Sequence, residues 1–396
     1  MLTASTAVAA WLALIAPAQP ETVELEIKGN VLRPRHVAAT ADRLAKLTLP
    51  DGFRIEPFAK DLGEPRIIAV DPDGAVYVTR KDTHDVARLV DADKDGFCES
   101  AVSLFKLEGL HGLAIHDGVM YLATVKEVYA AKMHGEGLVD NPVALIADLP
   151  DGGQHPRRTI GVGPDKLMYV SIGSTCNACE ESNPEHAAMV RVALDGSNRT
   201  VIATGLRNTI GFAWHPETGR LWGMDHGIDY LGDDTQREEL NRIEEEGFYG
   251  WPWTYEDGKE NKGVQPPKHT TIEELRSRNK APALTYTAHA APMIMLFYTG
   301  DQFPAEYRND AFVTMRGSWN RKPPSGYEVV RIRFSDAGEP EGMEPFITGF
   351  LQDNGKAHIG RLCGLAQMPD GSLLVGDDTG GVIYRVTYGH PTVLAE

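Results

Sequence analysis

A short turn followed by an alternating β-run recurs six times along the 396-residue chain, and this repeat constrains the fold more than any single element does. The units read DPDGAVYVT from Asp71, HDGVMYLAT from His116, GPDKLMYVS from Gly163, HPETGRLWGM from His215, RNDAFVTM from Arg308 and MPDGSLLVG from Met368. In each, polar or glycine turn residues lead into Val, Leu, Tyr or Phe, as a hairpin strand requires. Start-to-start intervals are 45, 47, 52, 93 and 60 residues. Four-stranded propeller blades repeat every ~40–50 residues, so most intervals fit one blade and a loop. The long interval also holds a polar insertion, Asp225 to Lys268, and a helix-like segment, TIEELRSR, from Thr271 to Arg278. The expectation is an all-β, six-bladed β-propeller; a β-sandwich with similar turns is the competing architecture. A propeller gathers its chemistry on loops around a central channel.

A net charge of −17 argues against nucleic acid or an anionic membrane as partner, since both demand surplus Lys and Arg. Residues 1–18 read MLTASTAVAAWLALIAPA, with an apolar run from Ala7 to Ile15 and an A-x-A cleavage pattern, although a basic n-region is missing. A membrane span needs ~20 apolar residues, and neither this stretch nor any other qualifies. The reading is a secretory signal on a secreted or periplasmic protein, an N-terminal extension over 19–46 and the propeller over 47–390. The cysteines are Cys98, Cys176, Cys179 and Cys363. Cys176 and Cys179 form a C-x-x-C pair; a zinc knuckle needs a second pair, so a local disulfide is expected in an exported chain.

Five loops carry candidate chemistry. In Asp151-Gly-Gly-Gln-His155-Pro-Arg157-Arg158, His155 suits a general base, because an ordinary imidazole titrates near ~6.5. Arg207-Asn208 lie between two strands, where an Arg facing the channel binds a carboxylate or quinone oxygen through its planar fork. The acidic run from Asp225 to Asp234, followed by Glu238 and Glu239, offers hard oxygen donors suited to calcium. Asp91-Ala-Asp93-Lys-Asp95-Gly96-Phe-Cys-Glu99 has the D-x-D-x-D-G core of an EF-hand loop. Its twelfth position is Val102, so a shortened, structural calcium loop is expected rather than a complete EF-hand. Basic residues cluster around Arg316, Arg321 and Arg361, in a chain that is otherwise acidic, and suggest an anion site.

Taken together and in order, the phrases GGQHPRRTIGVGPDKLMYVSIGSTCNACEE, GLRNTIGFAWHPETGRLW, LGDDTQREELNRIEEEGFYGWPW, FVTMRGSWNR and GLAQMPDGSLLVGDDTGGVIYRV resemble the soluble pyrroloquinoline quinone (PQQ)-dependent sugar dehydrogenases, including the aldose and L-sorbosone branches. The resemblance implies a six-bladed propeller with PQQ and Ca²⁺ at one mouth of the channel. It places His155 as the catalytic base, Arg207 and Asn208 against the quinone, and the carbonyls of Gly227 and Ile228 on the PQQ-associated calcium. Arg316, Arg321 and Arg361 become further cofactor contacts. The implied reaction oxidises a sugar or sugar-derived aldehyde. His155 takes the hydroxyl proton, hydride passes to a quinone polarised by calcium, and Arg207 stabilises the developing charge. No C-x-x-C-H haem motif occurs, so electrons leave to an external quinone or cytochrome. Three positions depart from the glucose dehydrogenases: Ser174 replaces an Asp that orients the base, Ile228 a Pro, and Cys363 a second Arg. The sorbosone-type branch is therefore the closer match. A calcium-dependent lactonase and a non-catalytic binding propeller are the alternatives.

Overall fold

The structure is a computed structural model that describes residues 27–93 and 95–389; the expected signal segment lies outside the described residues. The chain is all-β, and six sheets of four or five strands follow one another along it. Each repeat found in the sequence is the hairpin joining the first two strands of one sheet. The turn after Asp71, for example, connects Pro65–Val70 to Val76–Arg80, and that before Leu373 connects Leu362–Gln367 to Leu373–Asp377. The first strand of each sheet packs against the first strand of the next, and that of the sixth sheet returns onto that of the first. The sixth sheet is completed by the N-terminal strand Phe53–Ala59, which pairs with Val382–Tyr388 and so ties the two ends of the chain together.

Burial explains why the repeat is visible. The second strands Met168–Ile172, Leu221–Asp225, Ala311–Met315 and Leu373–Asp377 are buried at every position, because neighbouring sheets cover both of their faces. Such strands read as short apolar runs. The outermost strand Ser100–Lys106 has no buried residue and no such signature.

The long interval holds an insertion that leaves the fourth sheet intact. Its fourth strand, Leu284–Tyr286, pairs with Glu238–Arg242 only after a small hairpin, Thr254–Tyr255 with Lys259–Glu260, and a helix, Ile272–Arg278. Thr271 caps that helix in a reciprocal box with Glu274, as the TIEE sequence requires. Residues of the N-terminal extension also dock: Arg35–His36 pairs in parallel with Ala357–His358, and the Arg33 guanidinium lies over the Trp319 ring.

Candidate active site

The candidate residues come together because they share one edge of the sheets. Arg66, His155, Arg207, Asn208 and Arg361 lie at or just before the starts of first strands. Lys81, Ser174, His226, Gly227 and Arg316 lie just past the ends of second strands. All of these except Ser174 line a cavity of ≈ 410 Å³. A larger cavity of ≈ 660 Å³ is lined by the hairpin turns at the opposite strand ends, such as Asp71–Asp73 and His116–Gly118. It lacks the buried ionisable groups that make the smaller cavity a candidate site.

His155 is held through one face of its ring. Nδ1 lies 3.0 Å from the Ser174 carbonyl and 2.8 Å from the Ser174 hydroxyl. That hydroxyl donates to the carbonyl of Cys176 at 2.7 Å, so it meets Nδ1 as an acceptor. Both contacts require a proton on Nδ1, which leaves Nε2 as the free, basic nitrogen. Burial, then Arg207 and His226, push the His155 pKa down to about 3. Gly173 has to be a glycine, because a Cβ there would stand 2.6 Å from the His155 Cβ. Arg158, fully buried, donates to the carbonyls of Val125, Pro150, Asp151 and His155 and so fixes the loop that carries His155.

Arg207 is fixed from two directions. Its guanidinium donates to the Asn177 carbonyl at 3.0 Å, to Asn177 Oδ1 at 2.8 Å and to Asp229 Oδ2 at 2.7 Å. Asn177 lies inside the Cys176–Cys179 disulfide, which forms as expected. That tetrapeptide therefore supports Arg207 directly and His155 through Ser174. Buried Asp225 accepts from the backbone amides of Arg207 and Asn208 and from the Thr209 hydroxyl, each at 2.8 Å. Burial nonetheless raises its pKa to about 6.

These contacts correct one reading of the acidic run. Its carboxylates do not converge as a set of metal ligands. Asp225 is spent on the 207–209 backbone, Glu238 accepts from the amides of Gly227 and Ala291 at 2.8 Å, and Asp233 accepts from Asn30. Buried backbone donors demand partners, and these carboxylates supply them. Burial pushes Glu238 up to about 8 and Glu239 up to about 7. The amides of Gly227 and Ile228 are tied to Glu238 and to Gln236, whereas their carbonyls accept no hydrogen bond from the described residues.

The expected basic cluster divides. Arg316 lines the cavity and pairs with Asp378 at 2.9 Å, and Arg361 lines it while donating to the carbonyls of Arg316 and Gly317. Arg321 instead binds the Asp233 carbonyl and the Asp234 carboxylate and is not among the lining residues. Ile228 packs its side chain against Trp251 and Ala187, so only its backbone is available to the site. Arg66, Lys81 and Arg157 were not singled out by the sequence. The first two flank the first repeat unit on the first sheet rather than lying in a loop that reads as chemistry, and Arg157 is a member of the His155 loop.

The Asp91–Glu99 loop lies away from this cavity, at the turn end of the first sheet. There the carboxylates of Asp91, Asp93, Asp95 and Glu99 come within 4.8 Å of one another. Gly96, at φ 91°, makes the sharp turn the motif demands, and its amide donates to Asp91 at 3.0 Å.

Six all-β sheets whose edges gather an oriented histidine, an anchored Arg-Asn pair and a cationic wall around one cavity define a propeller-type enzyme site. The chain belongs to the TrAA12-like family, whose signature spans residues 47–389. It is 24% identical to a pyrroloquinoline quinone-dependent sugar dehydrogenase of Hypocrea jecorina, over 73% of this chain and 76% of that protein. It is 29% identical to an uncharacterized protein of Borreliella burgdorferi, over 88% and 93% of the two chains. Among solved structures, the fold resembles the calcium structure of the Trichoderma reesei family AA12 enzyme with a TM-score of 0.75 at 21% identity, covering 93% of this chain and all of that one. It resembles the holo PQQ domain of Coprinopsis cinerea pyranose dehydrogenase with a TM-score of 0.73 at 20% identity, covering 86% and 97%.

Proposed function

We propose that this chain is a PQQ- and calcium-dependent oxidoreductase that oxidises a sugar or sugar-derived aldehyde, of the aldose or L-sorbosone class, and passes electrons to an external acceptor. The observation that carries the reading is His155, with Nε2 free and Nδ1 tied to Ser174, facing the same cavity as Arg207 and Asn208. The family membership and the PQQ-dependent relative support it. The six sheets with their cyclic first-strand contacts support a six-bladed propeller over residues 47–390, preceded by an extension over 19–46. Residues 1–18 are read as the signal of a secreted or periplasmic protein.

The residues fit the two groups. A tricarboxylate needs cations and donors: Arg361 makes no ion pair with the described residues, Arg316 and Arg207 stand on the same wall, and the Asn208 side chain makes no hydrogen bond with the described residues. A hard divalent cation needs oxygens, and the Gly227 and Ile228 carbonyls, which accept no hydrogen bond from the described residues, offer them. Bound PQQ supplies a two-electron acceptor for hydride from the substrate carbon, and bound Ca²⁺ supplies Lewis acidity beside it. His155 Nε2 accepts the hydroxyl proton, Ser174 holds the tautomer that makes this possible, and Arg207 presents a fixed positive charge to the reacting centre. Asp91, Asp93, Asp95 and Glu99 are proposed to hold a second, structural calcium ion.

A lactonase of the same architecture would gather carboxylates on its metal in the channel. Among the described residues, the carboxylate cluster able to hold a metal lies at Asp91–Glu99, outside the cavity, and the other close grouping, Cys176, Cys179 and Glu181, has both sulfurs in the disulfide. The test is dye reduction by purified protein given PQQ and CaCl₂. Sugar-dependent reduction that falls about 10²–10⁴-fold in His155→Ala supports the reading. Lactone hydrolysis with calcium alone, and no dye reduction, overturns it.

A further inference from the structure

The cavity wall carries more positive charge than the cofactor contacts above employ. Arg66, Lys81, Arg157, Arg207, Arg316 and Arg361 all line it, in a chain of net charge −17. Carboxylates match four of them: Asp378 binds both Arg66 and Arg316, Glu64 binds Lys81, and Asp229 binds Arg207. Arg361 is held by two carbonyls. Arg157 differs from all of these. It is half-buried, and among the described residues it makes no hydrogen bond and no ion pair. Its neighbour in sequence, Arg158, is by contrast saturated by four carbonyls.

A guanidinium with no direct ion pair in a partly desolvated wall is costly, and Arg66 beside it adds repulsion that the more distant Glu64 and Glu108 offset only in part. Both costs are relieved by an anion. Arg157 also stands two residues from His155. Two residues of extended chain span at most about 7 Å, which is on the order of the width of a pyranose ring. A sugar whose hydroxyl reaches His155 can therefore present a carboxylate on its far side to Arg157. The Arg316 and Arg361 side of the wall is contributed by the fifth and sixth sheets, whereas Arg157 enters from the third and Lys81 from the first.

We propose that Arg157, flanked by Arg66 and Lys81, is a specificity-determining residue that binds the carboxylate of an acidic sugar, so that the preferred substrate class is hexuronates rather than neutral hexoses. This rests on the dehydrogenase reading and leaves its reaction unchanged.

The test uses holoprotein loaded with PQQ and Ca²⁺, with D-glucuronate and D-galacturonate against D-glucose and D-galactose. Calorimetric titration measures binding and dye reduction measures turnover. The proposal expects kcat/KM and affinity to favour the uronates by at least about tenfold, equivalent to ~1.4 kcal/mol. Arg157→Gln removes that preference, and Arg157→Lys retains part of it. Two results overturn the proposal while leaving the dehydrogenase reading intact: neutral sugars preferred by wild type, or Arg157→Gln weakening PQQ uptake with the uronate-to-hexose ratio unchanged, which would assign Arg157 to the cofactor. Failure of wild type to take up PQQ overturns both.

Discussion

The Ser174 hydroxyl stands 2.8 Å from Nδ1 of His155 while donating its own proton to the Cys176 carbonyl. The ring is oriented by a neutral hydroxyl and a backbone carbonyl. A neutral partner fixes the tautomer and favours the imidazolium less than a carboxylate would, and burial outweighs it and keeps the ring neutral.

This relationship sets the pH dependence of turnover. With the His155 pKa lowered to about 3 by burial, the base remains unprotonated well below the ordinary histidine range. The acid limb of kcat/KM should therefore lie below about pH 5 rather than near ~6.5. Ser174→Asp places a carboxylate against Nδ1 and should move the limb upward by about 1–3 units. A wild-type limb near 6.5, or no movement in the variant, contradicts the assignment.

Asn177 is a positioning residue for Arg207. Asn177→Ala removes the Oδ1 that accepts from the guanidinium at 2.8 Å and from the Asp229 amide at 2.9 Å. Hydrogen bonds to charged groups are worth about 1.5–3 kcal/mol, so kcat/KM should fall about 10- to 100-fold. Asn177→Asp keeps an acceptor and should recover part of the loss. A fall in Tm that fully accounts for lost activity in both variants would reduce Asn177 to a structural residue.

Acidification below neutrality should remove the stability that the buried histidines contribute, while buried Glu238, Glu239 and Asp225, whose pKa values are raised, work in the opposite direction. Burial lowers the pKa of His155 to about 3 and of His358 to about 4, and holds that of His111 well below the usual range. Between these values and the unfolded value of ~6.5, the unfolded chain binds more protons at these sites than the folded one, so their contribution is lost as pH falls through that window. In thermal scans at pH 7.5 and 5.5, His358→Gln should lose less Tm on acidification, or gain more, than wild type, and an unchanged difference would contradict the assignment.

Ring closure has its own test. Phe53, on the strand that joins the chain ends, packs edge-on against Phe303, Tyr307, Phe346 and Tyr388 with centroids 4.7, 5.1, 5.0 and 4.9 Å away. Phe53→Ala should cost about 3–5 kcal/mol of stability, read from denaturant midpoints. A loss under about 1 kcal/mol would show that this strand contributes little to closure.

The architecture was readable where burial imprints the sequence. The second strands are covered on both faces, so MYVSI at 168–172 or AFVTM at 311–315 stands out from the turn before it. The outer strands, such as Ser100–Lys106, are largely solvated and carry no such mark. His155, Arg207 and the C-x-x-C pair were visible as motifs. What Asn177 and Asp225 do was not, because their partners lie 30 and 18 residues away in sequence and meet them only through sheet register. The acidic run misled for a related reason: a carboxylate that caps a backbone amide and one that binds a metal have the same letter. Arg66 and Lys81 reach the site from the first sheet, beside a repeat unit that reads only as a hairpin, and only the convergence of the sheet edges reveals them.

The most direct measurement is equilibrium uptake of PQQ by the purified apoprotein, followed by dialysis and absorbance, with calcium and with a chelator. The account predicts saturable binding of one PQQ per chain at micromolar cofactor, weakened at least about tenfold by chelation or by Arg361→Gln. No saturable uptake in the presence of calcium would contradict it.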